Sequence, residues 1–167
     1  MKKLLILLLF IASYSTAINA QELSYKNLEL KIDSLQQQVD KLTYDYQFLD
    51  CSSKLDRLNL NLNVYINGLK NCVDRLLITL YNNPKYDSQF YKLTKMDYDT
   101  SSGLLDDYKA QVRIMKWSVS SRAEVFGFTE SDLKLLESTF KAIDAAVNSA
   151  EISLDYYKQV IAVYRDL

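Results

Sequence analysis

The clearest pattern in the chain is a heptad repeat of apolar residues near its carboxyl end. Ten apolar positions follow one another in alternating steps of three and four: Leu133, Leu136, Phe140, Ile143, Val147, Ala150, Leu154, Tyr157, Ile161 and Tyr164. This spacing keeps the side chains on one face of an α-helix and is typical of coiled coils and helical bundles. Thr129 can cap this helix, and Glu130 and Asp132 in its first turn suit the positive end of the helix dipole.

Two more apolar runs precede this helix. The first, which we call the apolar stripe, consists of Leu28, Ile32, Leu35, Val39, Leu42, Tyr46 and Leu49. The second consists of Leu55, Leu58, Leu62, Ile66, Leu69, Val73, Leu76 and Leu80. Leu55 lies six residues after Leu49, whereas two steps of a heptad repeat add up to seven. A single row of apolar residues would therefore be displaced by one position across residues 50–54. Because no Gly or Pro lies there, one long helix with a local stammer is favoured over a break.

A further helix is predicted between these runs and the last one. Asn83 and Pro84 mark a turn, with proline suited to the first helical position. The helix runs either without interruption from Pro84 to about Val125 or breaks at residues 100–103, and Gly127 is its expected C-terminal cap. Its predicted seam is Tyr86, Phe90, Leu93, Leu104, Tyr108, Val112, Met115, Val119 and Phe126.

Composition supports an all-α fold. Three glycines and one proline among 167 residues leave few turns. We predict a long-helix antiparallel bundle of three helices, or four if the first breaks near residues 50–54, with an N-terminal coiled-coil-like arm. Residues 21–167 would form a single helical-bundle domain, with residues 21–50 as a candidate projecting coiled-coil segment. An apolar stripe left in water is costly, so another copy, another protein or a folded-back fourth helix should cover it.

The amino end reads as a secretory signal peptide over residues 1–20. Lys2 and Lys3 precede an apolar run from residue 4 to residue 12, and small and polar residues lead to a cleavage position after Ala20. The apolar run is too short to span a bilayer as a stable helix. We therefore expect a secreted or periplasmic protein with no stable membrane insertion after signal cleavage.

Charge and residue usage exclude several function classes. The chain has 20 Lys and Arg against 21 Asp and Glu, and without Lys2 and Lys3 the balance becomes 18 to 21. That balance argues against nucleic acid as a partner, because no basic excess exists to displace counterions. The absence of histidine excludes Ser-His-Asp and Cys-His catalysis and His-ligated metal sites.

No other chemistry-bearing motif is complete. The acidic stretch beginning at Asp97 resembles a calcium loop, but Ser102 and Tyr108 stand where an EF-hand has glycine and glutamate. We therefore predict no catalytic residue, no metal site and no cofactor, and expect that the protein is not an enzyme.

Cys51 and Cys72 are the only cysteines, and export favours their oxidation. On one continuous helix they would lie about 31 Å apart, against about 6 Å for a disulfide. An intrachain disulfide would require a chain reversal near residues 60–62. Free thiols and an intermolecular disulfide are the alternatives.

Aromatic residues suggest a second interaction surface. Twelve tyrosines follow residue 20, and Tyr86, Tyr91 and Tyr98 cluster near the first turn. Tyrosine is enriched at interfaces, and Trp117 lies off its helix seam, which makes these four residues candidates for partner contact. The alternative is core packing with each hydroxyl at the rim, as expected for the seam residues Tyr46, Tyr108, Tyr157 and Tyr164.

These features favour an exported, non-enzymatic helical protein that acts as an assembly or protein-interaction module through coiled-coil or bundle contacts. Its partner would be another protein or a second copy of the chain. The alternative is a periplasmic holdase-like or binding protein that holds an apolar or unfolded client. In outline the chain resembles periplasmic holdase chaperones of the Skp type, although its acidic balance departs from the basic character of that group.

Overall fold

The computed structural model describes the backbone of residues 2–82, 85 and 87–166, with side chains from residue 22 onward. Three helices account for this part of the chain: α1 (Lys2–Asn82), α2 (Ser88–Phe126) and α3 (Glu130–Arg165). The described residues contain no strand, so the all-α prediction is confirmed. The chain divides into two compact units, Met1–Asp45 and Tyr46–Leu167. We refer to the second unit as the bundle.

Helix α1 passes through residues 50–54 without a break. Within that segment Lys54 forms an ion pair with Asp50 at 2.8 Å, one helical turn apart. The prediction of one continuous helix is confirmed, and the four-helix alternative is wrong. The physical reason is the one visible in the sequence, since neither glycine nor proline interrupts the backbone hydrogen bonds here.

The connection between α1 and α2 differs from the prediction. Helix α2 begins at Ser88 rather than at Pro84, and its N-cap is Asp87 in an extended conformation. The Asp87 carboxylate accepts hydrogen bonds from the backbone N–H groups of Gln89 and Phe90, at 2.8 and 3.1 Å. The Asn83–Pro84 signal itself lies outside the described residues. Asp87 is the N-cap because its carboxylate satisfies two N–H groups that have no partner inside the helix.

The connection between α2 and α3 agrees with the prediction. Gly127 ends α2 with φ 65° and ψ 47°, and its N–H donates to the Ala123 carbonyl at 2.9 Å. Thr129 caps α3 and forms a reciprocal capping box with Asp132. A left-handed φ favours glycine, and Thr-x-x-acid spacing satisfies the first N–H groups of a helix. This short turn reverses the chain between two long helices.

The core of the bundle contains the second apolar run of α1. Leu55 and Leu62 are fully buried, and Leu69 and Leu76 are each 2% exposed. The same seam extends backwards with regular spacing through Cys51, which is also buried. The apparent slip at residues 50–54 is therefore the end of one apolar run and the start of another on a different face of α1.

Helix α2 is continuous through residues 100–103, but part of its predicted seam is wrong. Leu93 and Leu104 are 55% and 45% exposed, whereas Thr94 and Leu105 are buried. Thr94 tolerates burial because its hydroxyl donates to the Phe90 carbonyl at 2.9 Å. The prediction counted only apolar residues and therefore chose the neighbouring leucines. From Tyr108 onward the predicted seam residues are buried or half-buried.

Helix α3 follows its predicted seam closely. Nine of the ten predicted positions are buried or half-buried, while Leu133 in the first turn is 41% exposed. Tyr157 and Tyr164 are almost fully buried, at 2% and 1%. Their hydroxyls are paired, because Tyr157 donates to the Thr94 carbonyl at 3.4 Å and Tyr164 accepts from the Asp87 N–H at 2.9 Å. These pairings allow tyrosine to occupy core positions.

Contacts between consecutive helices run in opposite chain directions. Between α2 and α3, Lys116 pairs with Asp144 at 2.8 Å. Further along α3, Tyr164 packs edge-on against Phe90, near the start of α2, with ring centroids 5.5 Å apart. Between α1 and α2, the Tyr65 hydroxyl donates to the Ser101 carbonyl at 2.6 Å, while Asp50, earlier in α1, pairs with Arg122, later in α2. The bundle is therefore antiparallel, as predicted.

Candidate interaction surface

The seven residues of the apolar stripe are all exposed to solvent. Their exposed fractions range from 54% for Val39 to 67% for Leu42. In the bundle, by contrast, residues at the same heptad spacing on α1 are buried. The first 45 residues form a separate unit, and the stripe residues up to Leu42 belong to it. The stripe is thus a regular apolar face that the described part of the chain leaves open.

The last two stripe residues lie within the bundle but outside its core. Tyr46 and Leu49 are 66% and 63% exposed. Phe48 instead packs edge-on against Phe128, with ring centroids 5.8 Å apart, and Cys51 is buried. Two residues along an α-helix differ by about 200° in direction. Tyr46 and Leu49 therefore lie on the opposite side of α1 from Phe48 and Cys51.

The heptad positions of the stripe share one face of α1 within the first unit. Leu28 and Leu42 lie about 21 Å apart along the helix axis there, at 1.5 Å per residue. After Leu49 the corresponding heptad positions are Ser53 and Asp56, which are polar and exposed. The apolar face therefore ends at Leu49. Single exposed leucines are ordinary on protein surfaces, but here seven exposed apolar residues follow one another at heptad spacing.

The second predicted surface is only partly open. Tyr86 lies outside the described residues, and Tyr91 is half-buried. Tyr98 packs edge-on against Tyr157, with ring centroids 5.9 Å apart, so its ring belongs to the α2–α3 contact. Trp117, at 73% exposed, is an isolated aromatic on the outer face of α2. Among the three described residues, Trp117 lies 19 residues after Tyr98 along α2, about 28 Å away along the axis, so it forms no common patch with Tyr91 and Tyr98.

A polar cluster at one end of the bundle was not found from the sequence. Arg122 of α2 forms an ion pair with Asp50 of α1, which also binds Lys54. The hydrogen bond from Lys54 and then that from Arg122 lower the pKa of Asp50 below its ordinary value. The guanidinium of Arg122 also approaches the buried Cys51 sulfur at 3.7 Å. The cluster joins α1 to α2 beside the point where the stripe ends.

The sequence signal for this cluster was weak. Arg122 continues the α2 seam, three residues after the buried Val119 and four before Phe126. Because the seam was predicted from apolar residues alone, the charged Arg122 was not included in it. A search for charged residues at core heptad positions would have marked Arg122. Its partner, 72 residues away along the chain, becomes apparent only in the folded bundle.

Cys51 and Cys72 form no disulfide within the chain. They lie on the continuous helix α1, about 31 Å apart along its axis. A chain reversal near residues 60–62, which an intrachain disulfide would require, is not present. Cys72 is half-buried beside a cavity of about 130 Å³ lined by Cys72, Arg75, Leu76, Phe90, Thr94, Asp97 and Tyr157.

Two tyrosines, the half-buried Tyr65 and the buried Tyr157, have raised pKa values. Burial raises the pKa of Tyr65 to about 12, and burial likewise raises the pKa of Tyr157 to about 12. Tyr65 also packs against Tyr108, with ring centroids 5.5 Å apart. Since both hydroxyls donate to backbone carbonyls of α2, these shifts reflect core packing.

The described side chains give no cluster of three or more His, Cys, Asp or Glu residues that could hold a metal ion. The acidic stretch around Asp97 lies within α2, where Asp99 pairs with Lys95 at 2.8 Å. In the part of the chain whose side chains the structure describes, no helix is both long enough and apolar enough to cross a bilayer.

The chain matches no protein-family model, and no significant match is found among curated proteins or solved structures.

Proposed function

We propose that this is an exported, non-enzymatic assembly or interaction module that binds a protein partner through the apolar stripe of α1. The observation that supports this proposal most is the exposure of all seven stripe residues, each 54% or more. Apolar residues on the other long seams of the molecule are mostly buried. A heptad face in this state gains free energy when a second helix covers it.

Export is part of the proposal and rests on the signal-peptide pattern of residues 1–20. The structure does not describe the side chains of that segment. In an exported protein the thiols of Cys51 and Cys72 would meet an oxidising compartment. Cys51 is protected there by burial in the bundle.

Position-specific photocrosslinking in the cells that produce the protein tests the proposal. One variant carries a photoreactive phenylalanine analogue at Leu35, and a matched control carries it at Leu60. The two leucines are equally exposed, at 60% and 63%, but Leu60 lies beyond the stripe. We expect a covalent adduct of one defined size from position 35 and none from position 60.

Two results would speak against the proposal. No adduct at position 35 would mean that the stripe does not meet a protein. Adducts of many sizes from both positions would instead favour the alternative function, a holdase that contacts unfolded clients over much of its surface.

A further inference from the structure

The stripe has the composition of a two-stranded coiled coil. In heptad notation Ile32 and Val39 occupy a positions, and a leucine occupies every d position: Leu28, Leu35, Leu42 and Leu49. Tyr46 and the preceding Tyr25, which is 62% exposed, fill the outer a positions. The e and g positions beside these residues are all polar, so the apolar face is only as wide as the a and d positions. A face of this width is the seam of a coiled coil, which one additional helix covers.

The size of the stripe matches what a stable pair requires. Each half-exposed apolar side chain offers on the order of 100 Å² of apolar surface. The eight a and d residues thus offer roughly 800 Å², close to the share that each partner contributes to a standard specific interface. A second copy of the stripe would supply an equal surface, apolar except for the tyrosine hydroxyls.

The charges flanking the stripe distinguish the two possible orientations of such a pair. In a parallel pair each g residue lies near the e residue five positions later in the partner helix. This arrangement places Lys31 near Gln36 and Asp45 near Asp50 of the second copy. It offers no opposite-charge pair, and it brings two carboxylates together on each side.

An antiparallel pair has a more favourable arrangement. The alignment that pairs every a residue with a d residue sets Ile32 opposite Leu42 and Val39 opposite Leu35 of the second copy. In this alignment Lys31 faces the Asp45 of the second copy, and by symmetry this ion pair forms twice. Lys31 and Asp45 are both exposed.

The antiparallel alignment also accommodates the outer residues. Tyr25 and Tyr46 face Leu49 and Leu28, so two tyrosines never meet in one layer. One like-charge contact occurs at each end, between Glu22 and Asp50. The Asp50 carboxylate is already paired with Lys54 and Arg122, which reduces this repulsion.

We propose that the apolar stripe pairs with the stripe of a second copy as an antiparallel two-stranded coiled coil, in which Lys31 faces the Asp45 of the other chain. This inference rests on the proposed function and names the partner.

The test measures the dimer dissociation constant of the processed protein, purified from the producing cells, by sedimentation equilibrium at low ionic strength. The variants are Lys31→Glu, Asp45→Lys and the double charge swap. Each single change turns two attractive contacts into repulsive ones, and we expect dimerisation to weaken about five- to tenfold. The double swap should restore the original constant. High salt should reduce all differences, because both residues are exposed.

The sign of the Asp45→Lys effect decides the orientation. In a parallel pair this change would replace the Asp45–Asp50 repulsion by an attraction and tighten the dimer, which would overturn the inference. A protein that stays monomeric up to the highest measurable concentration would also overturn it. If such a monomer still gives a defined adduct with another protein from position 35, the proposed function stands and only the identity of the partner is wrong.

Discussion

The two stretches of α1 carry the same kind of heptad pattern but meet different surroundings. Between Leu55 and Leu76 the seam residues are nearly inaccessible. The three helices meet at this stretch, where Leu76, Phe90 and Tyr157 line one cavity. Between Leu28 and Leu49 the residues at the same spacing are more than half exposed. Periodicity therefore specifies which face of a helix is apolar, and the rest of the molecule decides whether that face is buried or exposed.

The boundary between the two stretches makes the comparison sharper. At residues 46–51 the exposed and buried faces overlap along one helix and lie on opposite sides of it. Tyr46 and Leu49 face solvent, while Phe48 and Cys51 join the bundle. If the stripe and the second apolar run lay on one face of α1 with a stammer between them, the same neighbouring helices would cover both. Two separate faces allow the bundle to be complete while the stripe remains available.

The largest expected contrast comes from shortening one leucine in each stretch. Leu62→Ala should lower the free energy of unfolding of the bundle by about 2–4 kcal/mol, because it removes a fully buried side chain and leaves a cavity. Leu35→Ala, measured under dilute conditions where the protein is monomeric, should lower it by less than about 0.5 kcal/mol. Urea denaturation followed by circular dichroism provides both values. Equal losses would mean that the stripe is already packed within one chain.

Hydrogen exchange tests the same contrast along the backbone. In a variant that cannot pair, Leu35→Asp with Leu42→Asp, amides of residues 22–45 should exchange about tenfold faster than in the parent protein, since no packing supports the helix there. Amides of residues 51–76 should be unchanged. Mass spectrometry of peptides from both proteins measures this. Unchanged exchange in residues 22–45 would show that pairing does not protect the stripe.

Tyrosine ionisation should destabilise the bundle at high pH. Tyr65 and Tyr157 have pKa values of about 12 in the folded protein, against an ordinary 10.0. Between pH 10 and 12 the unfolded chain loses these protons before the folded one does, so stability falls as pH rises through that window. Replacing both by Phe should flatten this fall, while each loss of a hydrogen bond costs about 1 kcal/mol at neutral pH. If the free energy of unfolding of this variant, measured by urea denaturation, falls between pH 10 and 12 as steeply as that of the parent protein, the assignment is wrong.

The smallest expected effect concerns the polar cluster beside the end of the stripe. The pKa of Asp50 is lowered in the folded protein, so its contribution to stability is present above about pH 4 and is lost as pH falls through the folded pKa. Asp50→Asn should lower the free energy of unfolding by up to about 1 kcal/mol at neutral pH. It should also make the fall of this free energy at acid pH less steep. Arg122→Gln in both backgrounds measures the coupling between the two residues. A coupling of zero would mean that the ion pair does not join α1 to α2.

Sequence reasoning favoured three helices over four and predicted the α2–α3 turn and most of the core, because these depend on local signals. Gly127 and Thr129 act through their own backbone and side chains, and the seams of α1 and α3 consist almost entirely of apolar residues. Such features can be read from spacing alone.

The errors arose where polar residues occupy core positions. Thr94 is buried because a hydrogen bond within its own helix satisfies it, so the seam of α2 passes through Thr94 rather than Leu93. Arg122 lies on the same seam because Asp50 of another helix neutralises it. An apolar count cannot anticipate either, since both depend on partners that form with the folded structure. The stripe residues were found by periodicity, and the sequence left open whether they project or are covered by a folded-back helix; in the three-helix arrangement they are exposed.

The most direct test of the account is the mass of the processed protein in solution, measured by light scattering with and without reductant. We predict a dimer in both conditions, a monomer for Leu35→Asp with Leu42→Asp, and an unchanged dimer for the matched control Leu60→Asp with Val64→Asp. Leu60 and Val64 are as exposed as the stripe leucines, so the two variants differ in position rather than in exposure. A monomeric parent, a dimer that survives the stripe substitutions, or one that dissociates on reduction would contradict the account.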